Sequence, residues 1–355
     1  MSRFWTPLVQ RLDPYVPGEQ PQDQPYIKLN TNENPYPPSP KVAKALRDFD
    51  AGRLRLYPDP ESGRLRQALA ERHGVHPRQV FVGNGSDEVL AHSFQAFFQR
   101  PQPLLFPEIS YSFYPVYCQL YGIEARRIPL REGFGIAVED YSGDCGGVIL
   151  PNPNAPTSRL LSLDDIARLC ALQPDRVVVI DEAYIDFGGD SAVALLDRHP
   201  NLLVIQTFSK SRSLAGIRLG LAIGSETLIE GLQRVKNSFN SYPVDALAQA
   251  LALASLEDED YFRGTCRRIV DTRERSREAL QALGFEVLPS AANFLFARPP
   301  GGKAGALYRA LKRAGILVRW FDSPGIDDWL RITVGTDEEM TQLISRLEKT
   351  LSVAK

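Results

Sequence analysis

The chain has 355 residues, 43% of them hydrophobic and 24% charged, with a formal net charge of −2 at pH 7. That length exceeds one ordinary core of roughly 100–200 residues, so two lobes around a cleft are expected. The near balance of charge speaks against nucleic-acid or membrane-surface partners. No run approaches the roughly 20 apolar residues of a membrane span, and the start, Met1-Ser2-Arg3-Phe4-Trp5, lacks a signal peptide's apolar stretch, so a cytoplasmic location is expected.

Prolines recur through residues 13–40, each fixing φ and removing a donor, so residues 1–40 are predicted to form an extended arm. From Lys41 helical stretches alternate with short apolar runs at 79–82, 103–106, 147–150, 176–180, 202–205 and 219–223, which read as strands buried on both faces of a largely parallel sheet. Stretches 163–172 and 228–235 carry apolar residues at helical spacing and would cover it. After Tyr242 come long charged helices over 244–283, a strand at 294–297, a helix at 303–314, strands at 316–318 and 330–334, and a closing helix near 336–353. The predicted fold is α/β. A large domain, 41–242, holds the mostly parallel sheet; a smaller α+β domain spans 243–355; the arm packs near the small domain and a dimer interface. Cys118, Cys145, Cys170 and Cys266 lie far apart without a C-x-x-C pair, and His73, His76, His92 and His199 show no metal-ligand spacing. The histidines are read as loop and surface residues, and no metal is expected.

In an open α/β sheet ligands sit beyond the carboxyl ends of the strands, and four turns there are polar in ways a core does not require. Gly83-Asn84-Gly85-Ser86-Asp87-Glu88 leads from a strand into a helix, so that glycine, hydroxyl and free N–H groups offer an anion cradle. Asp181 ends the run Val177-Val178-Val179-Ile180, where a buried acid is costly unless it meets a cation or a metal. Lys210 lies among the hydroxyls of Thr207-Phe208-Ser209-Lys210-Ser211, with Arg218 eight residues on. Pro151-Asn152-Pro153-Asn154 gives rigidly aimed amides. Together these suit pyridoxal phosphate, which needs a lysine, a carboxylate for its ring nitrogen, donors to its phenolate oxygen, an aromatic ring and a phosphate cradle.

With those residues in place, the chain resembles the histidinol-phosphate aminotransferases of the fold-type I pyridoxal-phosphate family. The matching motifs run along nearly the whole chain: Leu29-Asn30-Thr31-Asn32-Glu33-Asn34-Pro35, Leu56-Tyr57-Pro58-Asp59, the Gly83–Glu88 turn, Asp181-Glu182-Ala183-Tyr184, Ser209-Lys210 with Ala215-Gly216-Ile217-Arg218, and Leu330–Thr336. The resemblance implies that Lys210 carries the cofactor as a Schiff base, Asp181 pairs with its ring nitrogen, Tyr184 donates to the phenolate oxygen and Tyr111 stacks on the ring. It places the phosphate among Gly85, Ser86, Asp87, Thr207, Ser209 and Arg218. Tyr57 would reach the neighbouring subunit's cofactor, which requires a homodimer. Arg331, Arg319 and Tyr15 would bind the anionic end of the substrate, with histidinol phosphate as amino donor and 2-oxoglutarate as acceptor, giving glutamate.

Two departures from the family pattern bear on the site. Ala155 stands where a second asparagine is common, so the phenolate contact is assigned to Asn154, and Ser158 stands where glycine is usual, so a different backbone geometry is expected there. Pro37, also at a glycine position, should stiffen the arm. The competing readings are an aromatic amino-acid aminotransferase or a threonine-phosphate-type decarboxylase on the same fold and, from another class, a non-catalytic regulatory protein that kept it.

Overall fold

The computed structural model describes residues 2–353. Its proline-rich start forms one short helix, α1 (Pro7–Arg11), capped by Thr6, and then runs extended to strand β1 (Ile27–Leu29). Helices α2 (Pro40–Asp48) and α3 (Gly63–His73) follow. The next segment builds the larger sheet: β2 (Val80–Asn84), α4 (Gly85–Phe97), β3 (Leu104–Pro107), α5 (Tyr114–Tyr121), β4 (Ala125–Ile128), β5 (Gly147–Pro151), α6 (Leu163–Leu172), β6 (Val178–Asp181), β7 (Leu202–Thr207), β8 (Leu219–Gly224) and α7 (Glu226–Phe239).

Seven strands lie in the order β2-β8-β7-β6-β5-β3-β4. All neighbours pair in parallel except β8, which runs antiparallel to both β2 and β7. Alternate residues of each apolar run serve opposite faces, as a period of two requires. Val178 and Ile180 join one core with Ile166 and Leu169 of α6, whereas Val179 joins the other with Val89 of α4 and Leu232 of α7. The runs are apolar throughout because both faces are covered.

Helix α8 (Ala246–Leu256) departs from the expected partition at residue 242. Its sequence is apolar nearly all round, and Ala248, Leu251 and Ala252 pack into the core of the seven-stranded sheet with Val42 of α2 and Leu65 of α3. The expected helical stretch is in fact broken here, and α9 (Glu259–Ala282) begins after it. A second sheet then forms from β9 (Glu286–Val287), β10 (Phe294–Arg298), β11 (Ile316–Trp320) and β12 (Leu330–Thr333), with α10 (Ala304–Arg313) and α11 (Asp337–Val353). Its order is β1-β11-β12-β10-β9. The arm thus supplies an edge strand, Ile27, Lys28 and Leu29 pairing in parallel with Ile316, Leu317 and Val318. Leu29 joins Leu295, Leu311, Val318, Ile332 and Leu343 in the core.

Two of the histidines differ from their expected setting. His92 is buried on α4 between the rings of Phe81 and Phe239, and His73 ends α3. Burial lowers both to about 4, because the charged imidazolium loses its water. The four cysteines are free and buried. Among the described residues no helix is long and apolar enough to cross a membrane, and no His/Cys/Asp/Glu group could hold a metal ion.

Candidate active site

The four polar turns converge on one cavity of about 480 Å³, between the carboxyl edge of the larger sheet, the arm and the second sheet. That volume suits a cofactor with a small substrate. Ser86 and Asp87 reach it from the β2–α4 junction, Pro151 and Ala155 from β5, Asp181, Ala183 and Tyr184 from β6, and Thr207, Ser209, Lys210 and Arg218 from the β7–β8 connection. Tyr15, Asn30, Thr31, Asn32 and Glu33 come from the arm, Tyr111 from the turn before α5, and Arg319, Phe321 and Arg331 from the second sheet and its margin.

At the centre, Asp181 is buried, with Oδ2 accepting from the Tyr114 hydroxyl at 2.9 Å and Oδ1 meeting no protein donor. Burial pushes its carboxyl up to about 6, and the Tyr114 hydrogen bond opposes the rise. A buried carboxylate oxygen on a cavity wall without a partner calls for a cation from the cavity. Tyr184 accepts from Asn32 Nδ2 at 3.0 Å, and Lys210 Nζ donates to the Thr31 carbonyl at 3.2 Å. The turn bearing Lys210 is itself tied to the arm, Asn34 Nδ2 donating to the carbonyls of Lys210 and Ser211 at 3.1 and 3.2 Å.

At one end lies a cradle suited to a phosphate. Gly85 has φ +81°, and a Cβ there would come within 2.6 Å of Arg218 Nη2, so glycine alone lets the guanidinium lie against the turn. Gly220 is equally constrained, since a Cβ would stand 2.3 Å from the Ser86 amide nitrogen. Arg218 Nη2 donates to Asp87 Oδ2 at 2.9 Å, and Tyr111 donates to Oδ1 at 3.0 Å. The Thr207 hydroxyl donates to Ser209 Oγ at 3.0 Å. The N-terminus of α4, at Gly85, adds the positive end of a helix.

At the other end Arg331, half-buried, projects from β12. Its Nη2 donates to the Asn30 carbonyl at 2.8 Å while Nε has no partner, and its guanidinium carbon lies 5.5 and 5.6 Å from the rings of Phe294 and Phe321. Burial lowers its affinity for the proton. Arg319 lies opposite it in register and reaches the same cavity. Tyr15 packs at 4.8 Å from Phe113 and 6.5 Å from Tyr111.

Three expected positions do not line this cavity, Gly85 lying against the Arg218 guanidinium instead. Asn154 is fully buried behind the wall, Nδ2 donating to the Ile109 carbonyl at 3.0 Å and to Thr157 Oγ1 at 2.9 Å, so the side chain serves the turn while Ala155 and Pro156 face the cavity. The assignment of Asn154 to the phenolate contact is therefore corrected. Tyr57 is 82% exposed, stacked on Tyr242 at 4.7 Å beside a different depression. Ser158 takes φ +61°, the left-handed conformation that favours glycine, with its hydroxyl donating to the Thr157 carbonyl at 2.5 Å. A serine here accepts strain of roughly 1–2 kcal/mol.

Sequence reasoning missed Tyr114 and Asn32. Asn32 lay inside a matching motif and Tyr114 three residues beyond Tyr111, but nothing in their spacing marked which residue would touch Asp181 or Tyr184.

Pyridoxal phosphate fits this set on the evidence of Asp181 Oδ1, the glycine-lined cradle under Arg218 and a lysine between them. Comparisons with known proteins agree. The family model for aminotransferase class I and II matches residues 24–347. Histidinol-phosphate aminotransferase 1 of Pseudomonas aeruginosa is 58% identical over 347 residues, covering 98% of this chain and 99% of that protein. Histidinol-phosphate aminotransferase 2 of Thiobacillus denitrificans is 59% identical over 348 residues, covering 98% of each. The crystal structure of histidinol-phosphate aminotransferase from Sinorhizobium meliloti in complex with pyridoxal-5'-phosphate superposes with a TM-score of 0.90 at 25% identity, covering 100% of this chain and 99% of that one. The chain belongs to the class I and II aminotransferases and, within them, to the histidinol-phosphate aminotransferase family.

Proposed function

We propose that this pyridoxal-phosphate enzyme transaminates L-histidinol phosphate with 2-oxoglutarate, giving imidazole-acetol phosphate and L-glutamate in histidine biosynthesis. The observation that carries the reading is the convergence of Arg331 and Arg319 of the second sheet and Tyr15 of the arm on the same cavity that Arg218 lines from the larger sheet. A cavity with one arginine-bearing anion site for the cofactor and a second for the substrate suits an amine that itself ends in a phosphate.

The cofactor, when bound, supplies a conjugated electron sink for the carbanion formed at the substrate's amine-bearing carbon. Lys210 would hold the cofactor, and its Nζ, on the cavity wall, would be the base that carries the proton from that carbon. Asp181 Oδ1 keeps the ring nitrogen protonated, and Tyr114 holds the carboxylate in place through Oδ2. Tyr184 donates to the phenolate oxygen, oriented by Asn32. Tyr111 would cover the ring, and Gly85, Ser86, Asp87, Thr207, Ser209 and Arg218 would hold the phosphate. Arg331 takes the anionic end of either substrate, which suits two half-reactions sharing one arm; Arg319 and Tyr15 complete the shell around a phosphate.

The enzyme acts as a homodimer in this reading. Tyr57 is exposed and does not line its own chain's cavity, and Leu54, Leu56, Phe239 and Tyr242 are exposed as well, an apolar set that a second copy would cover. Residues 41–242 then form the cofactor-binding domain, with α8 added to its core, and the rest of 243–355 with the arm forms the substrate lobe.

The test is a panel of amines assayed with 2-oxoglutarate on the purified protein. Histidinol phosphate should give the highest kcat/KM by a wide margin. Phenylalanine or tyrosine turned over equally well would replace this reading with a general aromatic aminotransferase, and release of carbon dioxide from threonine phosphate would replace it with a decarboxylase.

A further inference from the structure

Behind the turn that carries Lys210, away from the cavity, lies a polar cluster whose burial calls for an explanation. Ser211 Oγ donates to Asp186 Oδ2 at 2.5 Å. Arg212 is buried, yet its guanidinium spans two helices: Nη1 donates to the Ser255 carbonyl at 2.9 Å in the last turn of α8, and Nη2 donates to Glu259 Oε1 at 2.6 Å in the first turn of α9. The same plane lies 4.1 Å from the Phe262 ring centroid. Glu259 Oε2 pairs with Arg72 of α3. Taking a guanidinium out of water is costly, and nothing in the covalent chemistry of the site requires one here, since Arg212 does not line the cavity.

What this arginine does join is distant in the chain. Helix α9 runs 24 residues from Glu259 to the second sheet. Along it, Arg273 Nη1 donates to the carbonyls of Phe187 and Ala292, both at 2.9 Å, Thr272 donates to Asp337 at 2.7 Å, and Leu280 enters the second core. One end of the helix therefore fixes the lysine-bearing turn. The other end seats the sheet that carries Arg319 and Arg331.

We infer that Arg212 and Glu259 form a positioning pair for the transamination, setting the aim of Lys210 and tying it through α9 to the lobe that holds the substrate's anionic end. The inference rests on the reading of Lys210 as the cofactor-bearing lysine. The planar fork presents separate, fixed donors to a carbonyl on one helix and a carboxylate on another, whereas a lysine would have to serve both from one ammonium nitrogen, without that fixed geometry.

The experiment uses the loaded enzyme with Arg212→Met, Arg212→Lys and Glu259→Gln, alongside Lys210→Ala. Three quantities are read: the rate of cofactor release on dilution, the induced circular dichroism of the visible cofactor band, which reports its orientation, and kcat and KM in each half-reaction. Loss of a charge-assisted contact predicts for Arg212→Met about tenfold faster release and about tenfold lower kcat, with KM changed less and the dichroism altered. Arg212→Lys should recover part of each effect, and Glu259→Gln should show the same changes to a smaller degree. Wild-type release, dichroism and kcat in a folded Arg212→Met protein, even one that melts earlier, would overturn the inference. If that variant does not fold, wild-type values in both Arg212→Lys and Glu259→Gln overturn it. Persistence of the visible band in Lys210→Ala would instead remove the underlying reading, whatever the Arg212 variants do.

Discussion

At one end of the cavity Ser86, Asp87, Thr207, Ser209 and Arg218 all stand at strand ends of a single sheet, whereas at the other Tyr15, Arg319 and Arg331 are brought together from the arm and a second sheet. The first set is already internally bonded: Asp87 holds both Arg218 and Tyr111. In the second, Arg331 keeps an unpartnered Nε and depends on the Asn30 carbonyl of the arm. The contrast separates chemistry from selection. Strand ends of one sheet keep fixed distances and suit a resident cofactor, while groups from separate segments can adjust to two substrates of different length.

Variants sharpen that contrast in order of effect. Lys210→Ala should abolish the visible absorbance of the lysine-bound cofactor and reduce turnover by about a thousandfold or more, the upper range for losing a proton-transferring group, with melting little changed; absorbance spectra and single-turnover assays check both. Asp181→Asn should lower kcat by about a hundredfold or more, as expected for losing preorganised charge stabilisation.

The same aspartate predicts a pH dependence. In the cofactor-free protein burial holds its carboxyl at about 6, against about 3.9 in an unfolded chain. Its folded value is raised, so the neutral form is the one the fold favours: this group's contribution to stability is present below about 4 and lost as pH rises through about 6. Cofactor binding, which needs the ionised form, should therefore strengthen in the wild type relative to Asp181→Asn as pH rises through about 6. Parallel binding titrations of the two proteins measure it, and a constant ratio across that range would contradict it.

At the selecting end the effects are smaller. Arg331→Ala should cost about tenfold to a hundredfold in apparent affinity in both half-reactions. Arg319→Ala and Tyr15→Phe should weaken histidinol phosphate more than 2-oxoglutarate; equal losses for the two substrates would erase the distinction between the ends. The smallest effect on the cofactor belongs to Asn154→Ala, which should lower stability by about 1–3 kcal/mol through its unpaired neighbours yet leave the visible spectrum unchanged. A spectral shift would return Asn154 to the cofactor's side of the wall.

The legibility of the molecule followed the same division. Every apolar run of the larger sheet was visible as a strand because residues buried on both faces leave little compositional freedom, and the turns that follow them were visible because glycine, hydroxyl and acid are costly at a buried strand end. The antiparallel course of β8 was not visible, since Leu219–Ile223 reads the same in either direction. Nor was the place of α8, whose alanine-rich surface names no particular partner. Asn154 was misassigned because its turn promises a well-aimed amide without saying at which side of the wall it is aimed. The bond between Asn32 and Tyr184, 152 residues apart, is a product of packing that no local pattern encodes.

The outermost strand of the larger sheet has a consequence for behaviour at high concentration. β4 is four residues long, Ala125-Arg126-Arg127-Ile128, and both arginines are exposed. An open edge is a template on which another molecule can add a strand. Two copies of this edge brought together would set two pairs of guanidinium groups against one another across fewer than five ladder positions, so repulsion outweighs the few hydrogen bonds available. A short, doubly charged edge of this kind resists fibre-like growth in a crowded solution.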